Sequence, residues 1–231
     1  MITARKRLGH GLRWLGGGLL LTGGCGGAPT VPEHPTWADV QPILKGECSQ
    51  CHGATASTTG FGYRLDFYDM SKDVCGDAAL ALPSALLAAA AAPSIITDVT
   101  PSPDDGRARM PPAPAPVLHD WERETVLRWA AQPVKGPPPA DNHAPTIQVT
   151  GLPKAVNDSL TFGALVEDVD GDEAIGVLEI AGTIFAMPSS GSFNVQIPAS
   201  RWPSGTQRLS AVLCDGWTSA SYDLGPIDVK H

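Results

Sequence analysis

From residue 145 onward, apolar and polar residues alternate with a period of two in short runs. The runs are Thr146–Thr150, Ser159–Val166, Val177–Ile180, Thr183–Met187, Phe193–Ile197, Arg208–Leu213 and Ser221–Val229. Alternation of this kind puts one face of a strand on a core and the other in water. Turn-forming clusters separate the runs, among them Pro188-Ser189-Ser190-Gly191-Ser192 and Pro203-Ser204-Gly205-Thr206. About seven short strands so spaced predict a two-sheet β-sandwich over 145–231.

The earlier part of the chain follows a helical period instead. Thr36 is a cap residue with Asp39 in the following turn, and Val40, Ile43 and Leu44 form an apolar face. Pro42 is tolerated only near a helix start, which predicts a short helix or one that begins near Gln41. Ala78–Ala92 reads as a further helix. Asp120 caps another, with Glu122 and Glu124 in its first turn, Trp121, Val126, Trp129 and Ala130 near helical spacing, and Pro133 as its stop. The pattern changes at the proline-rich run Lys135–His143, a stiff and extended joint. The expected organisation is a mainly α domain at 36–135, a linker at 136–144 and an all-β sandwich at 145–231.

Residues 1–24 read as an export signal: Arg5, Lys6 and Arg7 precede the short apolar stretch Trp14–Thr22, which is too short to span a bilayer. The run Leu21-Thr22-Gly23-Gly24-Cys25 resembles a bacterial lipobox, although an aliphatic residue is preferred where Thr22 stands. The resemblance implies acylation at Cys25 and anchoring to a membrane, with residues 25–35 as a tether. The expected location is the cell envelope, facing the periplasm or the cell surface, with the outer membrane favoured because Gly26 follows the cysteine.

The signal segment holds four of the sixteen basic residues and none of the 24 acidic ones. Twelve basic residues against 24 acidic ones remain, a balance of −12, which excludes a general nucleic-acid surface. An acidic surface suits basic exported partners or simple solubility.

The sharpest chemical signal is Cys48-Ser49-Gln50-Cys51-His52. Two thiols three positions apart with a histidine directly after them form the attachment pattern of a c-type haem. The thiols can make thioethers with the vinyl groups, and His52 can be an axial ligand. A structural zinc would need a second Cys/His pair. Cys25, Cys75 and Cys214 are isolated singles. Met110 is the candidate second ligand to iron, because prolines 111, 112, 114 and 116 stiffen its loop. Met70 and His119 are the rivals. Arg64, Arg107 and Arg109 are candidates to neutralise haem propionates. Cys75 and Cys214 could join the two domains in an oxidising compartment, a pairing that sequence alone leaves open. Asp168, Asp170 and Asp172 could hold calcium through alternate carboxylates, or form a solvated acidic turn, since the full twelve-residue calcium loop is absent.

Several pieces occur in a telling order: Asp39-Val40-Gln41-Pro42-Ile43-Leu44, the C-S-Q-C-H-G run, Tyr63-Arg64-Leu65-Asp66, Arg109-Met110-Pro111-Pro112, and the helix from Glu124 to Trp129. This order resembles class I-like monohaem cytochrome c domains of exported bacterial proteins, of the planctomycete and myxobacterial type. The resemblance covers about 100 residues and implies one covalent haem c with His52/Met110 ligation. Asn142-His143-Ala144-Pro145, Asp168–Asp172 and Cys214-Asp215-Gly216 resemble immunoglobulin-like or cadherin-like domains of bacterial surfaces. The expected function is single-electron transfer between exported redox partners, with the sandwich as a docking module. The alternative is an adhesion, assembly or complex subunit in which the sandwich is the main functional part and the haem is accessory or sensing. An enzyme is not expected, as the chain shows no paired catalytic carboxylates in a recognisable setting and no nucleophile elbow.

Overall fold

The structure, a computed structural model, describes residues 29–53, 63–82, 87–112, 115, 117–187 and 190–231. The signal segment and the proposed lipidation residue Cys25 lie outside the described residues.

The first helix, α1 (Trp37–Glu47), starts where Thr36 holds extended backbone. Asp39 reaches back and accepts from the Thr36 backbone N–H at 2.8 Å and from its hydroxyl at 3.0 Å. These bonds satisfy donors that a helix start otherwise leaves open. Pro42 sits inside this helix rather than at its start. Burial of Trp37, Val40, Ile43 and Leu44 offsets the missing backbone bond. The α2 turn (Ser49–His52) follows at once. The α3 turn (Lys72–Cys75) leads into a 3-10 segment at Gly76–Ala81. Two longer helices complete this unit, α4 (Ala88–Val99) and α5 (Asp120–Ala131). The helix expected over Ala78–Ala92 is thus displaced. The 3-10 segment ends at Ala81, and α4 begins only at Ala88 and carries Pro93 within it.

Eight strands follow: β1 (Thr146–Thr150), β2 (Ala155–Val156), β3 (Ser159–Glu167), β4 (Ile175–Ile180), β5 (Thr183–Met187), β6 (Gly191–Pro198), β7 (Gly205–Cys214) and β8 (Ser219–Val229). They form a three-stranded sheet in the order β1-β3-β6 and a five-stranded sheet in the order β2-β8-β7-β4-β5. Along β3, Leu160, Phe162, Ala164 and Val166 are buried while Thr161 and Glu167 face outward. They meet Leu178, Ile180, Leu209, Ala211, Leu213 and Ile227 of the other sheet in one continuous core. The sandwich expectation therefore holds.

The expected mainly α cytochrome c fold is corrected. The described chain is mainly β, with two sheets against α-helices of at most 12 residues. The stretches Tyr63–Ser71 and 100–119 form no helix among their described residues. Helical spacing around a few apolar residues marks local turns and does not require the long segments between them to be helical.

The two units share buried surface. Strand β4 is buried on nearly every residue because both its faces are covered. Leu178 and Ile180 enter the sandwich core, while Ile175 packs with Phe67, Met70, Cys75, Ala78 and Leu87 of the helical unit. Cys75 and Cys214, both fully buried, form a disulfide across this contact, with Cα atoms 5.3 Å apart, an ordinary span for the bond. The turn between β7 and β8 inserts Trp217 into the helical core. Gly216 beside it has φ +90°, and a Cβ there would lie 3.1 Å from the Phe67 ring, so the close approach calls for glycine.

Candidate functional site

A large apolar hollow lies in the helical unit. Leu44 of α1 and Ala91, Ile95 and Val99 of α4 form much of its wall, with Leu65 beside them. The α2 turn contributes Cys48, Cys51 and His52, and the loop after α4 contributes Met110, Pro111 and Pro112. The cavity measures about 410 Å³, within the size range of small-molecule and cofactor sites. Four residues singled out in the sequence, Cys48, Cys51, His52 and Met110, thus line one space.

Local structure explains their placement. The Cys48 N–H donates to Leu44 O at 2.9 Å, and the His52 N–H donates to Cys48 O at 2.9 Å. The backbone therefore stays coiled through the motif. Cys48 and Cys51, three positions apart on such a turn, present their side chains to one side. Ser49 hydrogen-bonds back to Lys45 O and tightens the junction. The Nδ1 of His52 lies 3.2 Å from Tyr63 O. With that nitrogen donating to the carbonyl, the acceptor lone pair of the ring is on Nε2. Met110 is tied down through its N–H, which donates to Asp98 O at 2.9 Å.

Cys48 and Cys51 carry thiols rather than a disulfide. Burial, followed by the nearby charge of Glu47, pushes the Cys48 thiol up to about 11. A thiol so placed stays protonated near neutral pH, which does not suit a thiolate redox relay. Among the described residues no group of three or more His, Cys, Asp and Glu side chains converges to hold a metal ion, so a zinc-type cluster is not formed there.

The other candidates go elsewhere. Met70 is buried in the contact between the two units, its Sδ 3.7 Å from Cys75 Sγ. His119 precedes α5 and donates its backbone N–H to Glu122 at 2.8 Å. Arg64 is buried, pairs with Asp66 and lies over the Phe67 ring at 5.0 Å. Arg107 is exposed, and the largely exposed Arg109 lies 3.9 Å from Asp98.

The three aspartates offered for calcium turn to different partners. Asp168 accepts from the backbone N–H groups of Asp170 and Asp172 at 2.9 and 3.3 Å. Asp170 accepts from the His143 backbone N–H at 2.6 Å and lies 2.9 Å from His143 Nδ1. Asp172 accepts from Lys45 Nζ at 3.1 Å. They act as a clasp that ties the loop to α1 and to the joint.

Sequence reasoning missed Trp217. Its indole N–H donates to Gln41 Oε1 of α1 at 3.1 Å, and Lys135 Nζ lies 5.5 Å from its ring centroid. Asp215, only 2% exposed, holds the turn that presents it by accepting from the N–H groups of Trp217 and Thr218, both at 2.6 Å. The Cys214-Asp215-Gly216 run marks a turn, but nothing in it says that the next side chain completes the core of a distant unit.

No family model matches the chain, and no curated protein matches it. Among solved structures it shows partial likeness to an endo-beta-1,4-mannanase from Thermotoga petrophila, with 12% identity over 49% of this chain and 25% of that one and a TM-score of 0.34. The fibronectin(III)-like modules of Clostridium thermocellum CbhA share 17% identity over 38% of this chain and 47% of theirs, at a TM-score of 0.31. The CARDB domain of the PF1109 protein from Pyrococcus furiosus shares 13% identity over 39% of this chain and 90% of its own, at a TM-score of 0.27. The chain thus spans a quarter of the mannanase and about half of the CbhA modules. The identification with monohaem cytochrome c domains is withdrawn: no family model carries it, and the chain is mainly β. Haem, iron and electron transfer find no support in these comparisons, and the two-sheet β-sandwich is the part of the expectation that stands.

Proposed function

We propose that the chain is an adhesion or complex subunit of the cell envelope whose β-sandwich is the main functional part, and that its helical unit carries one covalent haem as an accessory or sensing element. The observation that supports this reading is the cavity itself. It gathers Cys48, Cys51, His52 and Met110 within a unit whose core is completed by Trp217 of the sandwich. A helical unit that borrows part of its core from the sandwich is built as an attachment to it.

The donor set fits the cofactor. Cys48 and Cys51 would hold it through thioethers, and His52 and Met110 would face its iron. Leu44, Ile95 and Val99 would exclude water from its faces. Tyr63 O would keep the His52 ring oriented. Bound there, haem would supply an iron centre whose oxidation state or ligand occupancy reports on its surroundings. The buried Cys75–Cys214 bond supports an oxidising compartment, which suits export and, with it, lipid anchoring at Cys25.

The test is production of the full chain in a bacterial envelope with haem-attachment machinery, followed by peptide mass analysis and native gel migration. One haem mass is expected on the peptide that contains residues 48–52, absent from a Cys48→Ala/Cys51→Ala double variant. The haemless variant is expected to enter the same high-mass envelope complex as the wild type. Absence of haem from the wild type, or exclusion of the folded variant from the complex, would refute the proposal.

A further inference from the structure

The outward faces of the two sheets differ in chemistry. The five-stranded sheet carries charge pairs, such as Arg208–Asp223 and Lys230–Asp228. The three-stranded sheet presents a hollow of about 360 Å³ whose polar side chains are all uncharged. Strand register arranges them as two adjacent rows. Gln148, Leu165 and Ser192 stand side by side across β1, β3 and β6, and Thr150, Gly163 and Asn194 form the next row.

The middle column of this grid is a floor. Leu165 is partly exposed there. Next to it Gly163 leaves a dip: a Cβ at this position would lie 2.7 Å from Thr150 Oγ1. The flanking columns are walls, each with one primary amide and one hydroxyl. Two strand spacings set the walls about 9–10 Å apart. The walls therefore offer neutral donors and acceptors on both sides of an apolar strip.

We infer that this trough binds a neutral glycan chain. A pyranose ring has an apolar C–H face that suits Leu165 and an equatorial rim of hydroxyls that suits paired amides and hydroxyls. One ring with a hydrogen bond on either side fills the span. The absence of charge on the lining groups selects against anionic polysaccharides, which would find no counter-charge. This inference rests on the reading of the sandwich as the functional part and supplies the ligand class for it.

The test is affinity electrophoresis of the full chain in gels cast with hydroxyethyl cellulose, with galactomannan or with anionic alginate. Retardation is expected in at least one neutral gel and not in alginate. The Gln148→Ala/Asn194→Ala variant, altered only on the outer face, should bind about tenfold more weakly, the effect of two lost neutral hydrogen bonds. Gly163→Leu, which fills the floor, should reduce retardation as well. No retardation in either neutral gel, equal retardation in alginate, or retention by both variants would overturn the inference. So would a dimer in sedimentation that the same variants dissolve, because the trough would then be covered by a second copy. Haem attachment and native-gel migration of the same preparations report separately on the function proposed above: the glycan inference alone fails if they stay intact while neutral gels show no retardation.

Discussion

The two cores of this molecule are built on opposite plans. The sandwich core is closed by its own strands, with Leu160, Phe162, Leu178, Ile180, Leu209 and Leu213 all drawn from within 145–231. The helical core is incomplete by itself: it leaves a cavity of about 410 Å³ and takes in Trp217 from the sandwich. Because the helical core depends on a side chain that the sandwich supplies, while the sandwich core depends on none from the helical unit, the sandwich can act as the foundation.

The comparison predicts unequal damage from mutations at the junction. Trp217→Ala should have the largest effect, about 3–5 kcal/mol, because it removes a buried aromatic side chain and orphans the buried Gln41 carbonyl. Thermal melts should show loss of helical circular dichroism well before the strand signal. A single coincident transition would mean that the cores are one cooperative unit. Cys75→Ser/Cys214→Ser should cost about 2–5 kcal/mol, again with the helical signal lost first. Equal shifts of both signals would contradict the foundation role of the sandwich.

The smallest expected effect is at the clasp. The His143 ring is held above its ordinary range, first by its hydrogen bond to Asp170 and then by the charge of that carboxylate. The His143 backbone N–H, followed by its ring, holds Asp170 below the usual carboxylate range. Stabilisation from His143 is therefore full below about pH 6.5 and lost as pH rises through the raised value. Stabilisation from Asp170 is present above about pH 4 and lost as pH falls further. His143→Gln should lower the melting temperature slightly at about pH 5.5 and leave it unchanged at about pH 9. A pH-independent difference would show that the contact works without charge.

The same contrast governs how much could be read from the chain. Thr146–Thr150 and Thr183–Met187 match their strands end to end, because exposed faces leave a clear alternation. The first two residues of β4 were hidden because Ile175 faces the helical unit, and a strand covered on both sides loses its period. The two-residue β2, paired in parallel with β8, carries no pattern of its own. In the helical unit, the residues that spacing and prolines singled out, Cys48, Cys51, His52 and Met110, come to line one cavity. Local spacing did not reveal that the fold as a whole is mainly β, nor that Trp217 completes the helical core. Both depend on contacts between residues far apart in sequence.

The Cys75–Cys214 bond also decides how the molecule carries load. It links positions 139 residues apart. Tension applied to the two ends of the chain crosses from the helical unit to the sandwich through two sulfur atoms rather than along the proline joint. The enclosed segment, some 460–500 Å of contour length at about 3.3–3.6 Å per residue, cannot be drawn out while the bond holds. Pulled from its ends, the protein is mechanically a much shorter chain than its sequence, with the cavity-lining helix α4 and the helix α5 inside the shielded loop.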